Sequence, residues 1–562
     1  MERILLIEPN YKNKYPPIGL MKISSYYKSK GDFVEFHKGI LPQNEVKQYD
    51  KVLVTTLFTF DFDMCVETIR YYIAIVGIKN VFVGGIASTI MPEKFEEAIP
   101  GVQLLKGQLT SSQVLGYDDC VNVDLLPLDY DILWDISYEY PAADSYFLYT
   151  SRGCPRKCSF CAVKTLEPVF YPCNNVKEQI LRVDEKFGSK KQLLIMDNNA
   201  LHSDDLEETI EELVSLGFGT SNNTIKKNSN MRYYIISLKE RITIQKKYTH
   251  LLNRIKSEIQ GVKISRISYQ DKLKLDEILK LINLDDDTDF VQYLLQNEEY
   301  FVDFFERYHY HKIKRYVDYN QGLVARLFTE HKAQILSKLA IKPCRIAFDD
   351  IQNKDVYFTA LSLAVKNGIL HFSNYLLYNY KEYPTDLWNR LYLNVSFCEQ
   401  NTDIKSLFSF PMKYASIEHT DRSYVGQHWN KKYLKSINVI LNVTSGVVAK
   451  EKDFFVRAFG KNANEYLEIL AMPFDFIRYR DYFEKNGLIE SWTNEYRRLS
   501  VDEIEELINI LSNTDNEKDV ADSLHSDGLK NILAYYEISK KRMESNKEYF
   551  VRTFKLTLNK NI

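Results

Sequence analysis

Three cysteines, Cys154, Cys158 and Cys161, lie in one short loop and constrain the chain more than any other feature. They follow the apolar run 146–149, which predicts a buried strand, and are separated by three and then two residues. Three thiolates from one tight loop can bind three irons of a cubane cluster and leave the fourth iron without a protein ligand. Such an open position allows a metal centre to bind and activate a small molecule, as catalytic zinc does.

The same cysteines could instead belong to a zinc site whose fourth ligand is a distant histidine, or form a pair with one spare thiol. Zinc sites usually combine two cysteine pairs, and no second pair follows here. A disulfide is not expected, because residues 1–8 run directly into an apolar strand and show no export signal. The remaining cysteines are scattered and are expected to be buried small hydrophobic residues: Cys65, Cys120, Cys173, Cys344 and Cys398.

The loop Thr150-Ser-Arg-Gly-Cys-Pro-Arg-Lys-Cys-Ser-Phe-Cys161 resembles the signature of the radical S-adenosylmethionine (SAM) superfamily, with its C-x3-C-x2-C spacing and an aromatic residue, Phe160, before the last cysteine. The resemblance implies a [4Fe-4S] cluster on the three cysteines, whose free iron binds SAM, and a place for Phe160 in the cofactor site. It also implies reductive cleavage of SAM to a 5′-deoxyadenosyl radical and a low-potential electron donor of the flavodoxin or ferredoxin type.

Length and composition are those of a folded protein of several domains. A chain of 562 residues should divide into about three or four domains, and its hydrophobic fraction of 45% is ordinary. The net charge of −3 favours no class of partner. No apolar run reaches the ~20 residues of a membrane helix, so no membrane partner is expected. Without an export signal, we expect the protein in the reducing cytoplasm, where an oxygen-sensitive cluster can survive.

Residues 1–125 alternate strand-like and helix-like segments. Their strands are expected at 4–7, 33–36, 51–55 and 80–85. This alternation predicts a doubly wound, Rossmann-like α/β domain, followed by a proline- and acid-rich linker at 126–144. Ligands of such sheets bind beyond the carboxyl ends of the strands, so the loops 9–17 and 84–88 would line a pocket.

This domain resembles the cobalamin-binding domain that precedes many radical SAM barrels, in the stretches Pro16–Leu20 and Val83–Ser88. That family usually carries an Asp-x-His-x-x-Gly motif, whose histidine binds cobalt, but the loop Asn10–Pro16 contains no histidine. Cobalamin could still bind without a protein ligand to cobalt, as in some relatives. The alternative is a retained fold that shapes the substrate cavity or a partner surface.

Residues 145–415 are expected to form a partial (β/α)6 barrel with a helical insertion at 220–312. Its strands are predicted at 147–149, 192–196, 316–319, 344–348, 371–378 and 407–412. Barrel ligands bind at the carboxyl ends of the strands. In radical SAM enzymes the end of the second strand binds the amino group of SAM, and the resemblance therefore proposes Asp197, Asn198 and Asn199 for this role. The alternative is that these three residues cap the following turn.

Further polar residues follow the third and fourth strands: Asn320, Gln321 and Asp349. Their amide and acidic groups would suit the ribose hydroxyls and the methionine carboxylate of SAM, although the sequence does not assign one role to each residue.

The insertion begins with a basic stretch, 226–263, and continues as acidic, amphipathic helices. Tyr233, Tyr234 and Tyr248 lie among the cations, so this stretch could contact nucleic acid; alternatively, it is a solvated helical face that pairs with the acidic half. Residues 416–562 predict a mainly helical carboxyl-terminal domain.

Three functions are compatible with these features. The first is a radical SAM enzyme that abstracts hydrogen from an unidentified substrate. The second is a cobalamin-dependent radical SAM methyltransferase. The third is a non-catalytic, metal- or cluster-bearing protein that binds nucleic acid. The sequence names neither the substrate nor a catalytic side chain, and it contains no phosphate loop and no spacing typical of a hydrolase triad.

Overall fold

The computed structural model describes residues 1–173, 175–228, 230–308, 310–513, 524–546, 549 and 552–554. The predicted α/β class is confirmed, with a parallel sheet of five strands. The chain divides into two units. Unit 1 comprises Met1–Gln321, His331–Lys342 and Ile417–Arg422, and unit 2 comprises Gly322–Glu330, Pro343–Ser416 and Ser423–Ile562. No helix within the described ranges combines the length and the apolar character needed to cross a membrane.

Unit 1 begins with a five-stranded parallel sheet. Its strands and helices are β1 (Arg3–Glu8), α1 (Ile18–Ser29), β2 (Phe33–Lys38), α2 (Gln43–Val46), β3 (Lys51–Thr56), α3 (Phe62–Val76), β4 (Val81–Gly85), α4 (Ile86–Ile90), α5 (Pro92–Ala98) and β5 (Gln103–Leu105). The strand order β2-β1-β3-β4-β5 is that of doubly wound sheets. In this order β2 lies on one side of β1, and β3 lies on the other side. The run Ile4–Ile7 is fully buried because helices cover both faces of such a sheet.

The chain then crosses to a second parallel sheet. Its elements are β6 (Ser145–Leu148), β7 (Ser151–Arg152), α6 (Val163–Leu166), β8 (Tyr171–Pro172), α7 (Val176–Phe187), β9 (Gln192–Ile195) and α8 (Leu206–Leu213). β6 pairs with β9 in parallel, with Phe147 opposite Leu194. The short strands β7 and β8 form a separate antiparallel pair.

The insertion is a set of helices between two paired strands. It contains β10 (Thr224–Asn228), α9 (Met231–Thr243), α10 (Thr249–Gln260), α11 (Tyr269–Ile282), α12 (Thr288–Gln296), α13 (Glu298–Tyr308) and β11 (Tyr310–Lys314). β10 and β11 pair in antiparallel fashion, so the two ends of the insertion lie side by side. β12 (Tyr316–Tyr319) follows and completes the sheet β12-β9-β6. The helix α14 (Glu330–Leu336) comes next.

Unit 2 contains a three-stranded parallel sheet in the order β13-β14-β15 and many helices. Its elements are β13 (Cys344–Arg345), α15 (Lys354–Lys366), β14 (His371–Tyr378), α16 (Pro384–Gln400), β15 (Ser406–Lys413), α17 (Lys431–Val443), α18 (Lys452–Phe459), α19 (Ala463–Ala471), α20 (Phe474–Arg478), α21 (Arg480–Lys485), α22 (Leu488–Tyr496), α23 (Val501–Asn513), α24 (Asp527–Leu533) and α25 (Lys540–Ser545). Strands thus occur at all six places predicted after residue 145, three in each unit, but the strand predicted at 344–348 is only Cys344–Arg345.

Candidate functional site

The cysteine loop, residues 153–162, begins where β7 ends. β7 pairs with β8, with Arg152 opposite Tyr171, so the segment between the two strands is closed at its base. Gly153 has a φ of +75°, and a Cβ at this position would lie 2.1 Å from the carbonyl oxygen of Val169. Only glycine allows the backbone to pass here, which explains the glycine before the first cysteine of the motif.

Asp197, at the end of β9, holds the segment that leads into the cysteine loop. Its carboxylate accepts hydrogen bonds from the Thr150 amide at 2.7 Å, the Thr150 hydroxyl at 2.5 Å and the Ser151 hydroxyl at 2.6 Å. Burial raises the pKa of Asp197 to about 6, against the effect of these hydrogen bonds. Both carboxylate oxygens are thus bound to the protein itself, and the structure places Asp197 beneath the loop as a support.

Glu167 forms a second support on the opposite side of the loop. Its Oε2 accepts hydrogen bonds from the Gly153 amide at 2.7 Å and from the Asn198 side chain at 2.8 Å. Its Oε1 lies 3.1 Å from the guanidinium of Arg152, which also pairs with Asp124 at 3.1 Å. The Arg152 and Glu167 side chains are about nine-tenths buried, so these ion pairs are poorly screened by solvent.

The three thiols themselves remain half-exposed and unbridged. Cys158 and Cys161 lie on one turn, in which the Cys161 amide donates to the Cys158 carbonyl at 3.2 Å. Cys154 accepts a hydrogen bond from the side-chain amide of Asn199 at 3.6 Å.

The cysteine side chains differ in how well they suit a single metal ion and a cluster. In the described part of the chain, no three His, Cys, Asp or Glu side chains are gathered closely enough to hold a single metal ion. A cubane cluster makes a smaller demand, because each thiolate binds a different iron and the sulfurs stand farther apart than the ligands of one ion. Three accessible thiols on one supported loop are a donor set that suits a cluster better than a lone zinc ion.

The other predicted cofactor residues lie in different surroundings. Phe160 is half-exposed on the loop, whereas Gln321 is exposed. Asn320 follows β12 and is buried, and its carbonyl oxygen accepts a hydrogen bond from the Tyr15 hydroxyl at 2.8 Å. Asp349 belongs to unit 2, where its backbone carbonyl accepts a hydrogen bond from Arg390 at 3.0 Å. The structure thus brings Asn199 to Cys154 of the loop, and it brings Asn198 to Glu167, which binds the Gly153 amide.

The carboxyl end of the five-stranded sheet is occupied by the protein's own side chains. Glu8, the last residue of β1, is buried and lies 2.5 Å from the ammonium of Lys38, the last residue of β2. The ammonium lies 4.8 to 5.6 Å from the ring centroids of Tyr11, Tyr138 and Tyr140. Tyr140 also donates a hydrogen bond to Glu8. The pKa of Tyr140 is raised, mainly by burial and also by the negative charge of Glu8.

The loop after β3 adds aromatic contacts at the same end of this sheet. Phe58 stacks on Phe60 with ring centroids 4.9 Å apart, and the guanidinium of Arg422 lies 3.9 Å from the Phe60 centroid. After β4, the hydroxyl of Thr89 donates to the Gly85 carbonyl at 2.7 Å. Several groups at this end thus pair with one another, and the loop after β1 has no histidine that could bind cobalt.

The basic stretch 226–263 contains two cations that are internal. Arg241 and Lys246 are buried and both pair with Asp135, each at 2.8 Å. Arg241 also lies 3.1 Å from Asp131. Burial lowers the pKa of Lys246, and its pairing with Asp135 opposes this effect. These two residues anchor the insertion to the linker, and they are inaccessible to a phosphate backbone.

Sequence reasoning missed the residues that support the loop. Glu167 lies six positions beyond the last cysteine, and Asp124 belongs to the segment before the linker. Neither position carries a local pattern that distinguishes it from a surface acid. The one available signal was Arg152, a cation beside a buried strand end, where a charged group is rarely found without a partner.

No family model matches the chain, and none of the curated proteins is significantly similar to it. A functional assignment must therefore be argued from the site and from the resemblance of the cysteine loop.

Proposed function

We propose that the protein is a radical SAM enzyme that carries a [4Fe-4S] cluster on Cys154, Cys158 and Cys161. The observation that carries this proposal is the cysteine loop: three half-exposed thiols on a segment that two buried carboxylates, Asp197 and Glu167, hold at the carboxyl end of a parallel sheet. When bound, the cluster would supply the electron that cleaves SAM, and the resulting radical would abstract hydrogen from a substrate.

The residues of this chain have distinct tasks in that proposal. The three cysteines hold the cluster, and Gly153 lets the backbone turn into the loop. The side-chain oxygen of Asn199, Oδ1, is buried and has no hydrogen-bond partner among the described residues. A buried acceptor left unpaired costs about 1–3 kcal/mol, which favours a donor from a bound ligand at this place.

The finer architecture is part of the same proposal. The resemblance assigns residues 145–415 to a partial barrel with the insertion at 220–312, after a cobalamin-binding-like domain at 1–125 and the linker 126–144. It assigns seven residues to the cofactor site: Phe160, Asp197, Asn198, Asn199, Asn320, Gln321 and Asp349. A carboxyl-terminal domain at 416–562 and a flavodoxin- or ferredoxin-type electron donor complete it.

The two other functions receive less support. Cobalamin-dependent methyl transfer would need room for a corrin at the carboxyl end of the five-stranded sheet, where Glu8, Lys38 and the tyrosines pair with one another. Nucleic-acid binding through 226–263 would lose Arg241 and Lys246 from its contact surface, because both are buried. Several other cations of this stretch pair with acids of the protein, among them Lys239 with Glu298, Lys247 with Glu45 and Lys256 with Asp287.

The proposal is tested by anaerobic reconstitution with iron and sulfide. We expect about four irons per chain and release of 5′-deoxyadenosine when SAM and dithionite are added. Cys158→Ala should abolish the product, and Cys120→Ala, which removes an exposed thiol outside the loop, should leave it unchanged. A Cys158→Ala protein that still forms 5′-deoxyadenosine contradicts the proposal.

A further inference from the structure

Asn199 stands apart from the other polar residues at the carboxyl end of β9, because its amide is directed at a sulfur. The Nδ2 of Asn199 lies 3.6 Å from the Sγ of Cys154. Asp197, two residues earlier, bonds to Thr150 and Ser151, and Asn198 bonds to Glu167. Of these three consecutive side chains, that of Asn199 thus contacts a cysteine of the loop.

The orientation of the Asn199 amide follows from electrostatics. Its side chain is 1% exposed, so solvent contributes little to its hydrogen bonding. The opposite orientation would place a carbonyl oxygen, which carries partial negative charge, against the sulfur of Cys154. Once that sulfur is a thiolate, only the N–H faces it favourably.

We propose that Asn199 is a positioning residue that raises the reduction potential of the cluster by donating a hydrogen bond to the sulfur of Cys154. This inference rests on the function proposed above. The reduced cluster carries one more negative charge than the oxidised cluster, and part of that charge resides on the sulfurs. A donor at a ligating sulfur therefore stabilises the reduced form more than the oxidised form.

The proposal gives Asn199 two atoms with separate tasks. Nδ2 acts on the thiolate of Cys154, and Oδ1 is buried without a hydrogen-bond partner in the described part of the chain. The side-chain amide of Asn199 can thereby contact a cluster ligand through Nδ2 and accept a hydrogen bond from a bound ligand through Oδ1.

The test is an anaerobic redox titration of the reconstituted wild-type protein and of Asn199→Leu and Asn199→Asp, followed by electron paramagnetic resonance. Both variants remove the N–H and keep a side chain that branches at Cγ. We expect the midpoint to fall in both, by about tenfold in the ratio of reduced to oxidised cluster for Asn199→Leu, which is about 59 mV for a one-electron couple. Asn199→Asp should fall further because it places a carboxylate beside the sulfur.

The outcomes separate this inference from the proposed function. Variants that load iron like the wild type and keep its midpoint overturn the role of Asn199 and leave the proposed function standing. A wild-type protein that binds no cluster overturns the proposed function and this inference together. Asn199→Gln, which retains a donor, should recover part of the shift if the hydrogen bond causes it.

Discussion

Unit 1 contains two parallel sheets. The carboxyl ends of their strands differ in how far the polar groups there are paired with other groups of the protein. At the five-stranded sheet, Glu8 and Lys38 form a buried ion pair enclosed by tyrosines. At the three-stranded sheet, buried carboxylates support a loop whose three thiols remain accessible, and Asn199 presents an unpaired oxygen there. Both ends have the position at which open α/β sheets bind ligands. The same position can therefore be filled by paired side chains of the protein or carry accessible thiols.

The largest expected effect concerns the ion pair at the five-stranded sheet. Lys38→Met leaves the Glu8 carboxylate buried without its cation, and should lower the free energy of unfolding by about 3–5 kcal/mol. Urea unfolding followed by fluorescence measures this loss. The double variant Glu8→Gln, Lys38→Met should recover at least half of it, because no isolated charge then remains.

The iron content of Lys38→Met should not change, in contrast to its stability. Lys38→Met should load the same amount of iron per folded chain as the wild type, since the cysteine loop does not depend on this pair. A stability loss below about 1 kcal/mol would mean that the pair is not insulated from solvent as described.

Glu167→Gln, unlike Lys38→Met, should change the amount of iron that the protein binds. It keeps an acceptor for Gly153 but removes the charge opposite Arg152, which retains Asp124. We expect a stability loss of about 2 kcal/mol together with a marked fall in iron bound per chain, because the loop is less well held. Loading at the wild-type level would show that Glu167 does not organise the loop.

A further effect is a pH dependence at Asp197. Burial raises its pKa in the folded chain to about 6, whereas an unfolded aspartate titrates near pH ~3.9. Between these values the folded chain retains a proton that the unfolded chain has released, so the contribution of Asp197 to stability decreases as pH rises and levels off above pH ~6.

Asp197→Asn isolates this contribution. The difference in unfolding free energy between wild type and Asp197→Asn should change by at most about 1.4 kcal/mol per pH unit in that window. A difference that is constant from pH ~4 to ~7 would show that Asp197 titrates as an ordinary carboxyl group and is not desolvated beneath the loop.

The strands were predictable because their residues are locally distinctive. Ile4–Ile7 and Gln192–Ile195 are short runs rich in apolar residues, and a buried parallel strand needs little else. The pair β10–β11 was not predicted, because Thr224–Asn228 is largely polar and its partner strand lies more than 80 residues further along the chain. Pairing over such a distance leaves no periodicity to detect.

Site residues were predictable only where their spacing along the sequence itself indicates a metal centre. Cys154, Cys158 and Cys161 form a pattern within one loop, whereas the partners of Asp197 and Lys246 lie in other elements. Asp197 was correctly placed at a strand end, but its bonds to Thr150 and Ser151 depend on how β6 and β9 align. Lys246 belongs to a basic stretch, and its burial against Asp135 depends on a contact made across more than 100 residues.

The comparison between the two sheet ends is tested most directly by one metal analysis. The protein is reconstituted anaerobically with iron, sulfide and cobalamin together, separated from unbound material, and analysed for iron and cobalt. The account predicts about four irons and no cobalt per chain, with iron lost in Cys158→Ala and retained in Cys120→Ala. Cobalt bound in stoichiometric amount, or iron retained by Cys158→Ala, would contradict it.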